Sequence, residues 1–495
     1  MLRRLLVHAS TYSIGSLLVT LAGLISFPIF TRIFSVAEYG VLNLVSSTLL
    51  ILIGVAKLGL QHSVIRFYAE AGAPSGNFTP SQYFSTVVLG MGAAGALVML
   101  CWAGISQLIP AHLWGDERIP HLLLLTAVLI PVRVLDSGMS NILRAMERSG
   151  WLTLYNVLRK YGGLGIILAT VFYVLPGLDG FYAGTILAET LAVVVLGWLM
   201  LRRQPISRRE FSPELYRGML VFGIPMVAYE LGALLLNFGD RYVIQAMLGG
   251  TALGHYSASY NLAEYVQMII VASFGQAVVP MFTKLWEEKG EAATRSFIER
   301  ALHFYCMIGV AVVFGLAAVG EDVLVLLASE KYRAGAVVIP WIIAATVIDG
   351  GATLLGAGLF IRKQTRILMF IVVSCAVLNV VLNVVLIPHF GILGAAIATL
   401  ASYVVLTVAM LVIGRSRLRI AFPWRALLKF LALGLVMFVS VSSVDTGEPL
   451  LSLFVKVLTG VAVYSALVLA FDQRGRDATL VVVERVGRLA RNVRS

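Results

Sequence analysis

Charge is what this chain has least of. Only 13% of its 495 residues are Asp, Glu, Lys or Arg, while 59% are hydrophobic; an ordinary soluble domain is about a quarter charged. A surface facing water must be covered by polar groups, and there are too few here to cover one. Cysteine is also scarce. Cys101, Cys306 and Cys375 all lie in apolar runs, which argues against a disulfide framework and a cysteine metal cluster. No lysine follows a glycine, so there is no phosphate-loop signature, and neither G-x-S-x-G nor H-E-x-x-H occurs. Gly90-Met91-Gly92-Ala93-Ala94-Gly95 matches a dinucleotide fingerprint in letters, but it lies inside an apolar run and reads as small-residue helix packing. The first apolar stretch is long enough to span, so no cleavable signal peptide is expected.

Long apolar runs fill the chain instead, and its mean hydropathy is +0.90. A helix needs roughly 20 apolar residues to cross hydrocarbon. Such runs fall near 9–33, 40–66, 83–108, 121–143, 151–174, 180–201, 218–246, 254–282, 301–320, 335–361, 366–387, 391–413, 426–443 and 449–471. The fold expected is an all-α polytopic membrane protein of about fourteen transmembrane helices. The loops between are too short for a folded soluble domain. Lys and Arg crowd alternate loops, leaving only Arg118, Lys331 and Arg333 on the opposite side. That asymmetry predicts an even number of spans with both termini in the cytosol.

The net charge of +12 therefore sits beside membrane ends, where it meets anionic lipid headgroups, and nucleic acid is not expected as a partner. In the tail 478–495, Val482, Val486, Leu489 and Val493 share a helical face flanked by Arg485, Arg488 and Arg491. This reads as an interfacial amphipathic helix, or equally as a disordered basic tail.

The chain repeats itself weakly after about 214 residues. Tyr39-Gly40 is matched by Leu253-Gly254, Asp136-Ser137-Gly138 by Asp349-Gly350-Gly351, and the Gly180 stretch after Pro176 by the Gly391 stretch after Pro388. The expected organisation is a six-helix lobe over 1–202, a cytosolic linker over 203–217 and a second lobe over 218–414. A helix pair over 415–471 and a cytosolic amphipathic tail over 472–495 follow. Parallel repeats of this kind bind substrate between lobes that rock.

A charge at mid-membrane is costly and usually faces a wet cavity or a partner. Cations within or near the spans are Arg32, Lys57, Arg66, Arg133, Arg159, Lys160, Arg241 and Lys456; the acids are Asp136, Glu189, Glu230, Asp240, Glu264 and Asp349. Arg32, Arg66, Arg159, Lys160 and Arg241 read as lying near helix ends, from which they could equally snorkel to the interface. Lys57, Arg133, Asp136, Glu230, Glu264 and Asp349 read as deeper. Lys57 is expected in mid-helix with Arg66 on a largely opposite face, and Arg133 is expected to pair with Asp136 at i+3. A cationic interior implies an anionic ligand such as a phosphate. The acids Asp136, Glu230, Glu264 and Asp349 suit a coupling proton or sodium ion.

Several stretches resemble a known family. The run from Asn379 through Asn383, Pro388, Gly391 and Gly394 to Thr399 is similar to the C-terminal signature of polysaccharide biosynthesis membrane proteins, the O-antigen repeat-unit flippases. Phe27-Pro28 with Thr31-Arg32, Glu38-Tyr39-Gly40, the stretch Gly59–Tyr68 containing Arg66, and Asp240-Arg241 resemble the same family. The resemblance implies membership of the multidrug, oligosaccharidyl-lipid and polysaccharide exporter superfamily, with two helical lobes around a central cavity. It implies a non-enzymatic flippase of a bacterial inner membrane, moving a polyprenyl-pyrophosphate-linked glycan between leaflets by alternating access. No cofactor is implied. The partners would be the lipid-linked oligosaccharide, anionic lipids and polysaccharide polymerase or assembly proteins. Motif position carries over Arg32, Arg66, Asp240 and Arg241, which join Lys57 and Arg133 as candidate substrate-binding residues. The alternatives are a drug or cation antiporter of the same superfamily, disfavoured by Lys57, Arg66 and Arg133, and a polytopic glycosyltransferase or O-antigen ligase, disfavoured by short external loops.

Overall fold

The computed structural model describes residues 2–71, 78–110, 114–202 and 206–477, with side chains from Gly15 onward except at Leu201. The basic tail over 478–495 lies outside the described residues, within which there is no strand. The helices in chain order are α1 Leu2–Ile33, α2 Val36–Ala56, α3 Leu60–Ala71, α4 Pro80–Leu108, α5 Arg118–Thr126, α6 Leu129–Ala145, α7 Ser149–Ala169 and α8 Gly177–Leu201. They continue with α9 Pro213–Val266, α10 Ala272–Ala328, α11 Ile339–Leu355, α12 Ala357–Ile361, α13 Thr365–Phe390, α14 Ile392–Arg415, α15 Trp424–Ser442 and α16 Pro449–Phe471. Helix is the expected answer to apolar sequence in lipid, because it satisfies every backbone polar group within the segment.

Among the described residues, twelve helical stretches are long and apolar enough to cross a membrane. One of them, Pro213–Ala328, has 116 residues and as one rod would run about 170 Å, several times the bilayer core. Gly249 (φ 80°) and Gly290 (φ 74°) break it in left-handed conformations, so it folds as three successive segments. Elsewhere helix starts are locally encoded. Ser35 and Glu38 form a reciprocal capping box at α2, and Thr79 and Gln82 form another at α4, with Pro80 in its first turn.

The second apolar run does not form the continuous helix expected over 40–66. α2 stops at Ala56, the chain turns through Leu58 (φ 50°) and Gly59 (φ 70°), and α3 begins at Leu60. The cause is a close backbone approach: a Cβ on Gly59 would lie 2.1 Å from the carbonyl oxygen of Gly223. Lys57 is thus the C-cap of α2 rather than a mid-helix residue, and helical phase no longer relates it to Arg66.

The chain packs as two compact units. Residues 1–257 with 365–395 form the first, and 258–364 with 396–495 the second. In the first, α2, α3, α4, α6 and the start of α9 close on a core of Leu49, Ile53, Val64, Tyr83, Ile130 and Met219. The Tyr83 hydroxyl inside it donates to the Val64 carbonyl at 2.6 Å. α2 and α9 also meet backbone to backbone. A Cβ on Gly40 would lie 2.2 Å from the Gly250 carbonyl oxygen, and one on Gly254 would lie 1.9 Å from that of Val36. Large apolar side chains point outward, Leu100 being 65% exposed, as suits a surface solvated by lipid rather than water.

In the second unit α15 and α16 pack on α10 through Val310, Phe430, Met437, Tyr464 and Val468. A polar clasp closes one end. Asp472, 2% exposed and just past α16, binds the Lys429 ammonium and the His303 ring (3.1 Å) and accepts from the Gly475 N–H at 2.6 Å. At the other end Lys456 reaches Asp322 at 2.7 Å. Burial alone would raise the Asp472 carboxyl, but Lys429, the Gly475 N–H and His303 outweigh it and hold it below the ordinary aspartate value of 3.8. Its contribution to stability is therefore complete above that value and fades as pH falls through the lowered one. Asp472→Asn should cost about 1–3 kcal/mol at neutral pH. The gap in melting temperature between wild type and variant should stay flat with pH and close only in strong acid; a gap that closed near neutrality would show another group to be responsible.

Candidate functional site

Arg133 and Asp136, both on α6, do not use one another. Arg133 sends a two-pronged fork to Glu189 on α8, Nε to Oε2 at 2.7 Å and Nη2 to Oε1 at 2.9 Å. Asp136 instead accepts from Arg159 Nη1 at 2.5 Å and from the Tyr155 hydroxyl at 2.5 Å, both on α7. The Arg133–Asp136 pair expected from i, i+3 spacing is thus replaced by two pairs between helices. Local spacing permits a pair, but a bidentate carboxylate on a facing helix offers better geometry. Tyr155 and Arg159, at i and i+4, present one face of α7 to Asp136. Sequence alone had left Arg159 near a helix end. The structure places it and Lys160 well inside α7, which runs on through a π-helical turn at Thr170–Val174. Tyr155 carried no chemical signal of its own in the sequence.

At the break between α2 and α3, Lys57 is half-buried. Gln61 donates to the carboxylate of Glu230 on α9, so that acid is engaged by an amide. Arg66 is exposed and lies over the Phe222 ring, 4.5 Å from its centroid, an attraction between cation and π-face. Arg32 is also exposed, its Nη1 donating to the Pro28 carbonyl at 3.0 Å.

Asp240 and Arg241 are buried, Arg241 being 2% exposed, so Arg241 does not snorkel. Arg241 donates to the Asn237 carbonyl at 2.9 Å and lies 4.6 Å from the Phe238 ring centre. Tyr256 donates to Asp240 from the far side of the Gly249 bend, which makes this pair of residues a brace across the bend. In the second unit Asp349 and Glu264 are half-buried. Asp349 sits on α11 in the same turn as Val347, whose carbonyl accepts from Tyr305 at 2.6 Å. No group of three His, Cys, Asp or Glu side chains is placed to hold a metal ion among the described residues.

What this arrangement offers is a set of charges on helices long and apolar enough to cross a membrane, some of them neutralised in pairs. A family described as "Polysaccharide biosynthesis protein" matches residues 5–286, more than half of the chain. The chain belongs to that family. Among its relatives is the "Probable low-salt glycan biosynthesis flippase Agl15" of Haloferax volcanii, 23% identical over 452 residues that cover 90% of this chain and 91% of the relative. The lipid III flippase of Escherichia coli (strain K12) is 24% identical over 81% of this chain and 96% of its own. Among solved structures the fold is similar to the lipid II flippase MurJ in an inward closed conformation, with a TM-score of 0.76 and 14% identity over 93% of this chain and 98% of that one. It is also similar to an inward-facing multidrug resistance MATE family transporter, with a TM-score of 0.67 and 15% identity over 83% of this chain and 98% of that one. The multi-pass helical fold and the family expected from the sequence both stand.

Proposed function

We propose that this protein is a flippase for a lipid-linked glycan, carrying a polyprenyl-pyrophosphate-anchored unit from the cytoplasmic to the outer leaflet by alternating access. The observation that carries this reading is the coincidence of two things in one chain: family membership, and cations on its apolar helices without acids to cancel them. Lys57 at the helix break and Arg66 on Phe222 make no ion pair among the described residues, which suits a pyrophosphate headgroup. Arg133, neutralised by Glu189, adds less. The relatives being named flippases supports transport rather than an enzymatic reaction. A drug or cation antiporter, which the likeness to a MATE transporter would accommodate, calls for an acid-rich cavity instead.

Lys57→Ala and Arg66→Ala should each reduce surface glycan at least about tenfold, the cost of losing one charge-assisted contact, with membrane levels of the protein unchanged. Export at wild-type levels in both variants would remove the basis for this site. The positive-inside pattern supports a topology with both termini in the cytosol, and a bacterial inner membrane is part of the same proposal; reporter fusions at Ser495 and in the 206–212 segment would test the topology. Coupling to a proton or sodium ion through Asp349 is part of the same proposal. Asp349→Asn should abolish gradient-driven transport in vesicles while substrate still binds, and unchanged transport would place the coupling elsewhere.

A further inference from the structure

We infer that the groove between α7 and α8 is a binding site for an anionic phospholipid, one acyl chain lying in the groove and the headgroup phosphate on Arg148. The groove encloses about 330 Å³, and its lining is almost wholly apolar. Gly162, Gly163, Ala188 and Ala192 keep its floor low. Along its edges large apolar side chains stand outward, Leu158 being 62% and Leu191 51% exposed. An apolar cavity of this size does not hold water. Both bordering stretches, Ser149–Val174 and Gly177–Met200, are long and apolar enough to cross a membrane, so the space is one that hydrocarbon fills. Arg148 and Arg159 both line it. The eleven residues from one to the other rise about 16 Å, half of a hydrocarbon core roughly 30 Å thick. That is the depth to which a chain of one leaflet reaches.

The mouth of the groove supplies the selectivity. Met146 and Arg148 line it from the turn between α6 and α7, and Leu199 and Met200 from the end of α8. The turn closes in a left-handed conformation at Glu147 (φ 57°), with the Glu147 N–H donating to the Arg144 carbonyl at 3.1 Å and the Arg148 N–H to the Leu143 carbonyl at 3.0 Å. These two bonds fix where Arg148 leaves the backbone. Arg148 is half-buried, and its side chain has no hydrogen bond or ion pair among the described residues. It is also the N-cap of α7 and makes no side-chain cap bond there, so the positive end of the helix dipole adds to its charge.

Arg144 and Arg202 are exposed at the same end. The first donates to Asn141 at 3.1 Å, and the second lies 3.6 Å from the Trp198 ring centroid. The acid of this turn, Glu147, is exposed and makes no ion pair with any of them among the described residues. Three guanidiniums against one carboxylate leave the mouth positive, the complement of a phosphate. Trp151, which also lines the mouth, is 57% exposed, as suits an indole at headgroup level. In the topology proposed above this is the cytosolic end, where anionic lipids attract basic side chains. The site is separate from Lys57 and Arg66 and does not depend on what the protein transports.

The test uses the full chain in phosphatidylcholine nanodiscs, with dibrominated phosphatidylglycerol or dibrominated phosphatidylcholine added in rising proportion. Bromine quenches tryptophan on contact, and the signal from Trp151 is the difference between wild type and Trp151→Phe. Phosphatidylglycerol should half-quench Trp151 at about a tenth of the proportion that phosphatidylcholine needs, the effect of one charge-assisted contact. Equal proportions would mean lipid contact without selection and overturn the inference. Arg148→Gln should bring phosphatidylglycerol to the phosphatidylcholine value while leaving the latter unchanged, and Arg148→Lys should keep most of the preference. A full preference surviving in Arg148→Gln removes the headgroup site. Ala192→Leu, which raises the floor, should move both curves to higher proportions; unmoved curves remove the groove as the seat of the chain. Melting temperatures at the wild-type value show that the variants fold. Should Arg148→Gln not fold, the wild-type comparison of the two lipids decides alone.

Discussion

Replacing Glu189 with leucine is expected to destabilise the folded protein by about 3–5 kcal/mol, the usual consequence of removing one partner from a buried ion pair. The reason lies in what remains. Arg133, with about a quarter of its side chain exposed, would keep a full charge at membrane depth after losing both prongs of its fork. Arg133→Leu alone strands Glu189 in the same way. The double variant Arg133→Leu/Glu189→Leu removes both charges and should regain most of the loss, because two well-packed apolar side chains replace a pair whose attraction largely offsets its desolvation. Thermal unfolding of detergent-solubilised protein, followed by size-exclusion recovery, measures all three. A single variant as stable as wild type would show that water or a ligand, not Glu189, balances Arg133. A double variant that is stable but cannot export glycan would restore Arg133 to the substrate site.

Gly254→Ala should be at least as damaging as many larger substitutions elsewhere. The added methyl would sit 1.9 Å from the Val36 carbonyl oxygen and 2.8 Å from its carbon, a clash with backbone that no rotamer can relieve. Overpacking in cores costs about 1–3 kcal/mol when side chains can shift, and here α2 and α9 themselves must separate, so about 3 kcal/mol is the minimum expected. Gly150→Ala is the matched control, since a Cβ there meets nothing within 4 Å. Melting temperatures of the two variants should differ by several degrees. Equal values would mean that α2 and α9 do not meet as closely as the structure places them.

The fold was legible in the sequence because a bilayer asks a simple question of a chain, namely where roughly 20 apolar residues occur in succession. The places where reading failed are places where backbone geometry, not hydropathy, decides. Leu58 and Gly59 lie inside an apolar run, and glycine is common within membrane helices; only the approach of Gly223 makes it a break. The interior charges were visible as costly exceptions, but their partners were not. Arg133 had a local candidate in Asp136 and chose Glu189. At α7 the expected span 151–174 nearly matches the observed Ser149–Val174, yet Arg159 and Lys160 read as lying near an end although they sit well inside the helix. The repeat signal Tyr39-Gly40 and Leu253-Gly254 pointed to related positions but gave no hint that these glycines lie against each other's helices.

The crossed pairing of α6 with α7 and α8 also bears on how the chain is made. A ribosome adds about 5–20 residues per second, so the 56 residues between Arg133 and Glu189 represent about 3–11 s of synthesis, and the 23 between Asp136 and Arg159 about 1–5 s. For that interval α6 carries both signs of charge and neither of its final partners. It cannot settle in lipid alone without the penalty that interior charges incur. Retention until the following hairpin is made would spare it that penalty. α6, α7 and α8 would then enter the bilayer as one unit, in which the order of translation sets the order of neutralisation.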